Sequence, residues 1–439
     1  MKISLINPPN PEKTGQFRPP INIAQLAAYI RIYGYDVNIH DFEAEGIIDV
    51  NTMAQTIMKE HPDVIGFSSL TPRFPVIIDT IRSCKKISKN IIAVVGGPHA
   101  SGATKSIFYN DIVDYAIVGE GEDSFLELLD FLKDAKDVKN IKNIAYQDGD
   151  SIIINPVRPF IKNLDELPLP AWDLLPLELY KDTDFFIGKY MGVNCARGCA
   201  WDCNFCASNI IWKRKVRLRS AEKVVEELKI LVNDYNISEF YFYDDTFTIS
   251  QRRTLKICEL IRKEGLSIRF FIGIRADTVH HNVMIALKEA GCFLCWLGVE
   301  SGNEKILKEC GKGLTKEQIV NASKILKKVG IPFIASYILG HPGDTHESIQ
   351  ETIDFAKKID SDQAKFFIAT AFPGTGIYEL AVRKGLISNL EDIQTFSNYS
   401  SYQHVEVNLS SVSDEDIKNY QLSAYEEYDL RKRPISLKH

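Results

Sequence analysis

The sequence has no surplus of positive charge: 52 Lys and Arg stand against 58 Asp and Glu, a net charge of −6. Nucleic acid is therefore not the expected partner, although a local basic patch would escape this test. A long apolar run is missing too. The opening Met1-Lys2-Ile3-Ser4-Leu5-Ile6-Asn7-Pro8 is short and stopped by proline, without the length or flanks of a signal peptide or spanning helix, and reads as a first strand. No disulfide framework is suggested either, because the nine cysteines are odd in number and four of them crowd between residues 195 and 206. That usage suits metal ligation in a reducing cytoplasm, the expected location. What is present is a chain of 439 residues, 45% hydrophobic and 25% charged, enough for two or three globular domains.

Apolar strand-like runs alternate with amphipathic helical stretches, the pattern of parallel α/β architecture. The first series has candidate strands at Lys2 to Ile6, Asp36 to His40, Val64 to Ser68, Ile91 to Val95 and Tyr115 to Val118, with helical patterns such as Ile23 to Tyr33 between them. It predicts a doubly wound, Rossmann- or flavodoxin-like sheet. Ligands of such sheets bind beyond the carboxyl ends of the strands, where Asn7-Pro8-Pro9, Ser68-Ser69-Leu70-Thr71 and Gly96-Gly97-Pro98-His99 converge. Pro156, Pro159, Pro168, Pro170 and Pro176 then break the rhythm. A second series follows, with strands at Tyr190 to Asn194, Glu239 to Tyr243, Arg269 to Ile274, Phe293 to Val299, Phe333 to Leu339 and Lys365 to Ala369. Six βα units read as a partial barrel with its chemistry at the carboxyl ends of the strands. The tail, with Tyr399, Tyr402, Tyr420, Tyr425 and Tyr428, reads as a cap over that barrel. The expected domains are 1–145, a linker 146–185, the barrel 186–385 and the cap 386–439.

Directly after the first barrel strand comes Cys199-Ala200-Trp201-Asp202-Cys203-Asn204-Phe205-Cys206. Three thiolates at this spacing can hold three irons of a four-iron cluster and leave the fourth open. A zinc knot is the bland reading, but such sites usually take four ligands in two separated pairs, and no matching Cys or His pair stands nearby. Cys195 is irregularly spaced and reads as structural. Cys292 and Cys295 fall in a predicted buried strand and read as core. His40 and His99, single histidines in strand-end turns, are not taken as metal ligands. The basic run Trp212 to Arg219 reads as solvated surface, at most a weak hint of an acidic substrate.

The triad, with aromatic Phe205 before its last cysteine, resembles the radical S-adenosylmethionine superfamily. So do Tyr241-Phe242-Tyr243-Asp244-Asp245-Thr246-Phe247, Ile274-Arg275-Ala276-Asp277, Gly298-Val299-Glu300-Ser301-Gly302, Leu339-Gly340-His341-Pro342-Gly343-Asp344 and Phe372-Pro373-Gly374-Thr375. Each alone could cap a helix or turn the chain; their order at successive strand ends argues against coincidence. The resemblance implies a 4Fe-4S cluster on Cys199, Cys203 and Cys206, and S-adenosylmethionine contacts from Phe205, Asp244, Arg275, Glu300, Ser336 and Gly340. A zwitterionic methionine needs a carboxylate and an arginine, and ribose hydroxyls suit an acidic acceptor.

The first domain resembles the cobalamin-binding domain of cobalamin-dependent members of that superfamily, through Ile6-Asn7-Pro8-Pro9, Arg18-Pro19-Pro20, Val95-Gly96-Gly97-Pro98-His99 and Val118-Gly119-Glu120-Gly121-Glu122. The implied cobalamin contacts are Asn7, Ser68, Leu70, Thr71, Gly96, Gly97, Pro98, His99, Gly119 and Glu120. The Asp-x-His-x-x-Gly of other cobalamin folds is replaced by Asp41-Phe42-Glu43-Ala44-Glu45-Gly46, with no histidine. The lower cobalt face is thus left to the loop Leu70 to Arg73 or to water. The family chemistry implied is reductive cleavage of S-adenosylmethionine, hydrogen abstraction by the 5′-deoxyadenosyl radical, and methylation of an unactivated carbon with cobalamin as methyl carrier. A small-molecule, lipid or peptide substrate and an electron donor such as flavodoxin or ferredoxin are the implied partners. Two alternatives stand beside this: a non-methylating rearrangement, cyclisation or ring contraction on the same architecture, and a non-enzymatic metal-binding regulatory protein.

Overall fold

The computed structural model describes residues 1–10, 18–134, 137–387, 393–399 and 404–429. The chain divides into two compact units. The first comprises Met1–Tyr180, Ile210–Lys213 and Phe372–Tyr399, and the second takes the remainder.

The first unit is built on seven strands: β1 (Lys2–Asn7), β2 (Asp36–Asp41), β3 (Val64–Ser68), β4 (Ile92–Gly96), β5 (Tyr115–Ile117), β6 (Ile144–Asp148) and β7 (Ser151–Ile154). Their order is β2-β1-β3-β4-β5-β6-β7. β1 to β5 run parallel and are covered by helices such as Ile21–Arg31 and Phe74–Ile87. Both faces of these strands are buried, which is why they read as continuous Ile- and Val-rich runs without alternation. The order reverses between β1 and β3, the switch point at which such sheets open a crevice.

Two departures from the expected boundaries concern this unit. The presumed linker begins with the antiparallel hairpin β6–β7, which extends the sheet and turns through Gly149 at φ 59°. The proline criterion could flag only Pro156 onward. In addition, Phe396 and Tyr399, read from sequence as part of a barrel cap, belong to the core formed around Phe74, Ile77 and Ile78.

The second unit contains β8 (Tyr190–Val193), a two-residue ribbon of β9 (Ala196–Arg197) with β10 (Arg217–Leu218), and then β11 (Glu239–Phe242), β12 (Arg269–Ile274), β13 (Cys292–Glu300), β14 (Phe333–Leu339) and β15 (Gln363–Ile368). Six of these form one parallel sheet in the order β15-β14-β13-β12-β11-β8, the partial barrel anticipated from the sequence. Its helices start where side chains accept the first orphan amides: Ser220 and Ser250 as N-caps, Thr315 and Thr345 in capping boxes. The β13–β14 register shifts between Gly298 and Glu300, and Glu300 sits at φ 72°. The helix Asp414–Asp429 covers the edge strand β15, and its Ile417 also packs over Gly340 at the end of β14. Phe366 donates its N–H to the Tyr425 hydroxyl at 3.0 Å, and its carbonyl accepts from Gln421 Nε2 at 2.6 Å. Tyr402 lies outside the described residues. Among the described residues no helix is long and apolar enough to cross a membrane.

Candidate functional site

The cysteine loop of the second unit is hung from the neighbouring strand. One carboxylate oxygen of Asp244, just after β11, accepts the N–H of Cys195 at 2.6 Å and of Ala196 at 3.0 Å. The Cys195 carbonyl accepts from the Arg219 amide at 2.9 Å and from the Arg253 guanidinium at 2.5 Å. Cys195 is therefore a fully enclosed anchor, its thiol pushed well up by burial.

Cys199, Cys203 and Cys206 lie beyond it, Cys203 buried and the other two half-buried. Burial pushes the Cys206 thiol up to about 12, and that of Cys203 upward against the opposing pull of Lys312. Among the described residues no three His, Cys, Asp or Glu side chains converge tightly enough to hold one metal ion. A cluster asks something different: thiolates spread over separate corners, and no fourth protein ligand. Three thiols on one eight-residue loop, with the next cysteine turned inward as an anchor, fit that demand.

The residues expected around S-adenosylmethionine gather near the loop with partners the sequence did not reveal. The other oxygen of Asp244 is buried without a hydrogen-bond partner, and burial lifts the carboxyl to about 6. That orphaned acceptor fits an incoming cation. Arg275 is not free: its guanidinium lies 4.0 Å from the centre of the Trp201 ring, bonds Asp277 at 3.1 Å and donates to the Lys312 carbonyl at 2.8 Å. It grips the cysteine loop from the side. Glu300 receives Lys312 Nζ on one oxygen at 2.7 Å, and both side chains are buried. A Cβ on Gly298 would stand 2.6 Å from that oxygen and 2.7 Å from Nζ, so the glycine leaves room for the pair in its present arrangement.

Phe205 meets the His341 ring at 5.4 Å. His341 is wholly buried, both ring nitrogens lack partners, and desolvation lowers its basicity to about 4, so it is neutral. Gly340, at φ 84°, and His341 both donate their amides to Asp344, at 3.0 and 2.8 Å. Ser336 is buried on β14 opposite Gly298 of β13. Lys312, His341 and Arg253 were not anticipated. Only the Gly311-Lys312-Gly313 sequence hinted that a lysine is held in a tight turn.

The strand ends of the first unit form a separate site. The turn after β4 packs on the end of β3: Ser69 donates to the Gly96 carbonyl at 2.8 Å, and His99 donates its amide to the Ser69 carbonyl at 3.0 Å. Gly97 has φ 94°, and a Cβ there would lie 2.9 Å from the Ser69 backbone. Pro98 opens the short helix Pro98–Gly102, and the Gly119 amide donates to Ser101 at 3.0 Å. Ser68 accepts from Asn22 at 2.7 Å, and Glu120 accepts the Ile161 amide at 3.0 Å.

His99, expected among the cobalamin contacts, lies inside the core. Its ring nitrogens reach Thr71 at 3.2 Å and Ser106 at 3.4 Å, with Phe74 and Phe396 packed on its ring. Desolvation lowers its basicity to about 3. Glu43, at the position where a ligating histidine was sought, pairs with Arg73 at 2.7 Å, and Asp41 accepts from Asn7 at 2.7 Å and from the Tyr180 hydroxyl at 2.6 Å. At this crest Leu70 is exposed and apolar, while both nearby histidines, His40 and His99, are buried. This fits cobalamin held without a histidine ligand.

Comparison with known proteins agrees on both units. The Radical SAM superfamily pattern matches residues 193–356 and the B12 binding domain pattern residues 12–129. An uncharacterized methyltransferase of Pyrococcus horikoshii is 35% identical over 99% of this chain and 94% of its own length. An anaerobic magnesium-protoporphyrin IX monomethyl ester cyclase of Rubrivivax gelatinosus is 28% identical over 82% of this chain and 66% of its own. A radical S-adenosylmethionine methyltransferase from Kitasatospora setae, solved with cobalamin and a 4Fe-4S cluster, shares the fold with a TM-score of 0.72 at 18% identity, covering 87% of this chain and 75% of that one.

Proposed function

We infer that this chain, which belongs to the cobalamin-dependent radical S-adenosylmethionine enzymes, transfers a methyl group to an unactivated carbon. The observation that carries this is the pairing of a three-thiol loop, anchored by Asp244, with a strand-end crest that offers no histidine to a cobalt ion. When bound, the cluster supplies the electron that cleaves S-adenosylmethionine, and cobalamin supplies the methyl group.

The chain's own residues position and enclose. Cys199, Cys203 and Cys206 hold the cluster. The unpartnered Asp244 oxygen takes the methionine amine, Glu300 offers its second oxygen to the ribose hydroxyls, and Phe205, Ser336 and Gly340 line the remainder. Arg275 keeps Trp201 in place, with its free N–H donors directed to the methionine carboxylate. In the first unit Asn7, Ser68, Leu70, Thr71, Gly96, Gly97, Pro98, Gly119 and Glu120 form the cobalamin surface, with His99 as a buttress behind it. Flavodoxin or ferredoxin is the proposed reductant.

Anaerobic reconstitution with iron, sulfide and cobalamin, followed by metal and sulfide analysis, tests both cofactor sites together. Replacing Cys199, Cys203 and Cys206 by alanine should abolish cluster assembly and S-adenosylmethionine cleavage while leaving cobalamin binding intact. Cluster assembly that survives the triple change refutes the ligand assignment. With its true substrate the enzyme should release 5′-deoxyadenosine and S-adenosylhomocysteine together. Deoxyadenosine alone, without methylated product, would move this chain to the cyclising branch of its family.

A further inference from the structure

We propose that Lys312 is a positioning residue for the iron–sulfur site: its buried ammonium is the counter-charge against which the cluster is reduced, and it raises the cluster's reduction potential. The inference rests on the reading of Cys199, Cys203 and Cys206 as the cluster ligands.

The segment carrying Lys312 is laced to the cysteine loop. Asn204 donates its amide to the Cys310 carbonyl at 2.9 Å and its side-chain amide to the Glu309 carbonyl at 3.1 Å. Gly311, at φ 72°, approaches so closely that a Cβ would lie 2.3 Å from the Asp202 carbonyl oxygen and 3.5 Å from Cys203 Cα. The Lys312 carbonyl is then clamped by Arg275 at 2.8 Å. Its backbone therefore cannot move independently of Cys203.

The side chain is held as firmly. Lys312 is 5% exposed, its Nζ lies 2.7 Å from Glu300, and the glycine at 298 gives the pair its room.

Burying a lysine is expensive, and a well-packed apolar residue of similar volume usually serves stability as well or better. The charge therefore has a use other than holding the fold. A cluster ligated by three thiolates becomes more negative on reduction, and its potential follows net charge and nearby dipoles. A positive charge at short range in a region of low dielectric stabilises the reduced form more than the oxidised one. Glu300 acts in the opposite sense, so the pair as a whole trims the potential while aiming the Glu300 carboxylate.

Mediated dithionite titration of the reconstituted protein without S-adenosylmethionine, monitored by electron paramagnetic resonance, reads this potential directly. Lys312→Met is expected to assemble the cluster and shift its midpoint to a more negative value. Lys312→Arg should restore the parent value, and Glu300→Gln should not shift it negative. Where Lys312→Met does not fold by circular dichroism, Lys312→Gln replaces it with the same expectation. An unchanged midpoint in the charge-deleted variant overturns the proposal, as does an equal negative shift in Glu300→Gln, which would mark a general opening of the site. Failure of the parent protein itself to bind a cluster would instead refute the ligand assignment.

Discussion

Asp244 divides its two carboxylate oxygens between two tasks: one carries the amides of Cys195 and Ala196, the other stands buried and unpaired. Asparagine retains one acceptor oxygen but loses the charge. Asp244→Asn is accordingly expected to assemble a normal complement of iron and sulfide while cleaving S-adenosylmethionine at least tenfold more slowly, on the order of 1.4 kcal/mol or more of lost interaction. Single-turnover deoxyadenosine formation checks this; an unimpaired rate would remove Asp244 from the substrate site. His99 illustrates the opposite case, a polar side chain committed to the interior. Its basicity is lowered by burial from the ordinary 6.5 to about 3. The folded state therefore keeps it neutral while the unfolded chain takes up a proton below about 6.5. Its contribution to stability is intact above that pH and is lost progressively as the pH falls, by about 2 kcal/mol at pH 5. The stability gap between the parent and His99→Gln should narrow by roughly that amount from pH 7 to pH 5 in denaturant titrations. A gap independent of pH would show that His99 is not held neutral. The three cysteines could be picked out from their local spacing, and Phe205 and Arg275 from the family resemblance of the segments that carry them. The Lys312–Glu300 pair could not, because nothing in the sequence says that a lysine after one helix returns to the strand before it.

At the scale of elements, the strand ends carry the chemistry and the turns beyond them carry the strain. Gly97 adopts φ 94° and ψ −172°, a conformation open essentially to glycine alone, at the point where the end of β4 presses on Ser69. Gly97→Ala should cost about 1–3 kcal/mol of stability. It should also weaken cobalamin retention after gel filtration while leaving iron content at the parent level. Equal loss of both cofactors would show that the defect is global. Strand positions were legible because buried parallel strands are uninterrupted Ile, Val and Phe runs, and β12 and β14 appear at their expected limits. The hairpin β6–β7 is harder to read: it is a short antiparallel addition that turns through Asp148-Gly149, and the prolines that follow it give the stretch the look of a linker. The contact of the helix Asp414–Asp429 with β15 is not legible in the same way, since an amphipathic tail looks alike in sequence whichever element it packs on.

On the scale of the whole molecule, late chain segments complete early folds. Phe396 packs edge-on against His99 at 4.7 Å and against Phe74 at 6.1 Å, closing the core of the first unit with a residue from near the end of the chain. Phe396→Ala should therefore destabilise the first unit by about 3–5 kcal/mol. Cobalamin binding should melt at a lower temperature in that variant, with iron and sulfide content unchanged; an unaltered transition would mean that Phe396 is not part of that core. By itself the sequence determined the alternation of strand and helix, the two α/β units and the cysteine triad, because periodicity and ligand spacing are local properties, complete within a few turns of chain. Only the tertiary structure decided that Tyr180 bonds Asp41 across 139 residues, that Phe396 belongs to the first core, and that Lys312 faces Glu300. Those contacts are chosen by shape and burial once the elements dock, and no short-range pattern in the sequence encodes which distant partner fills the space.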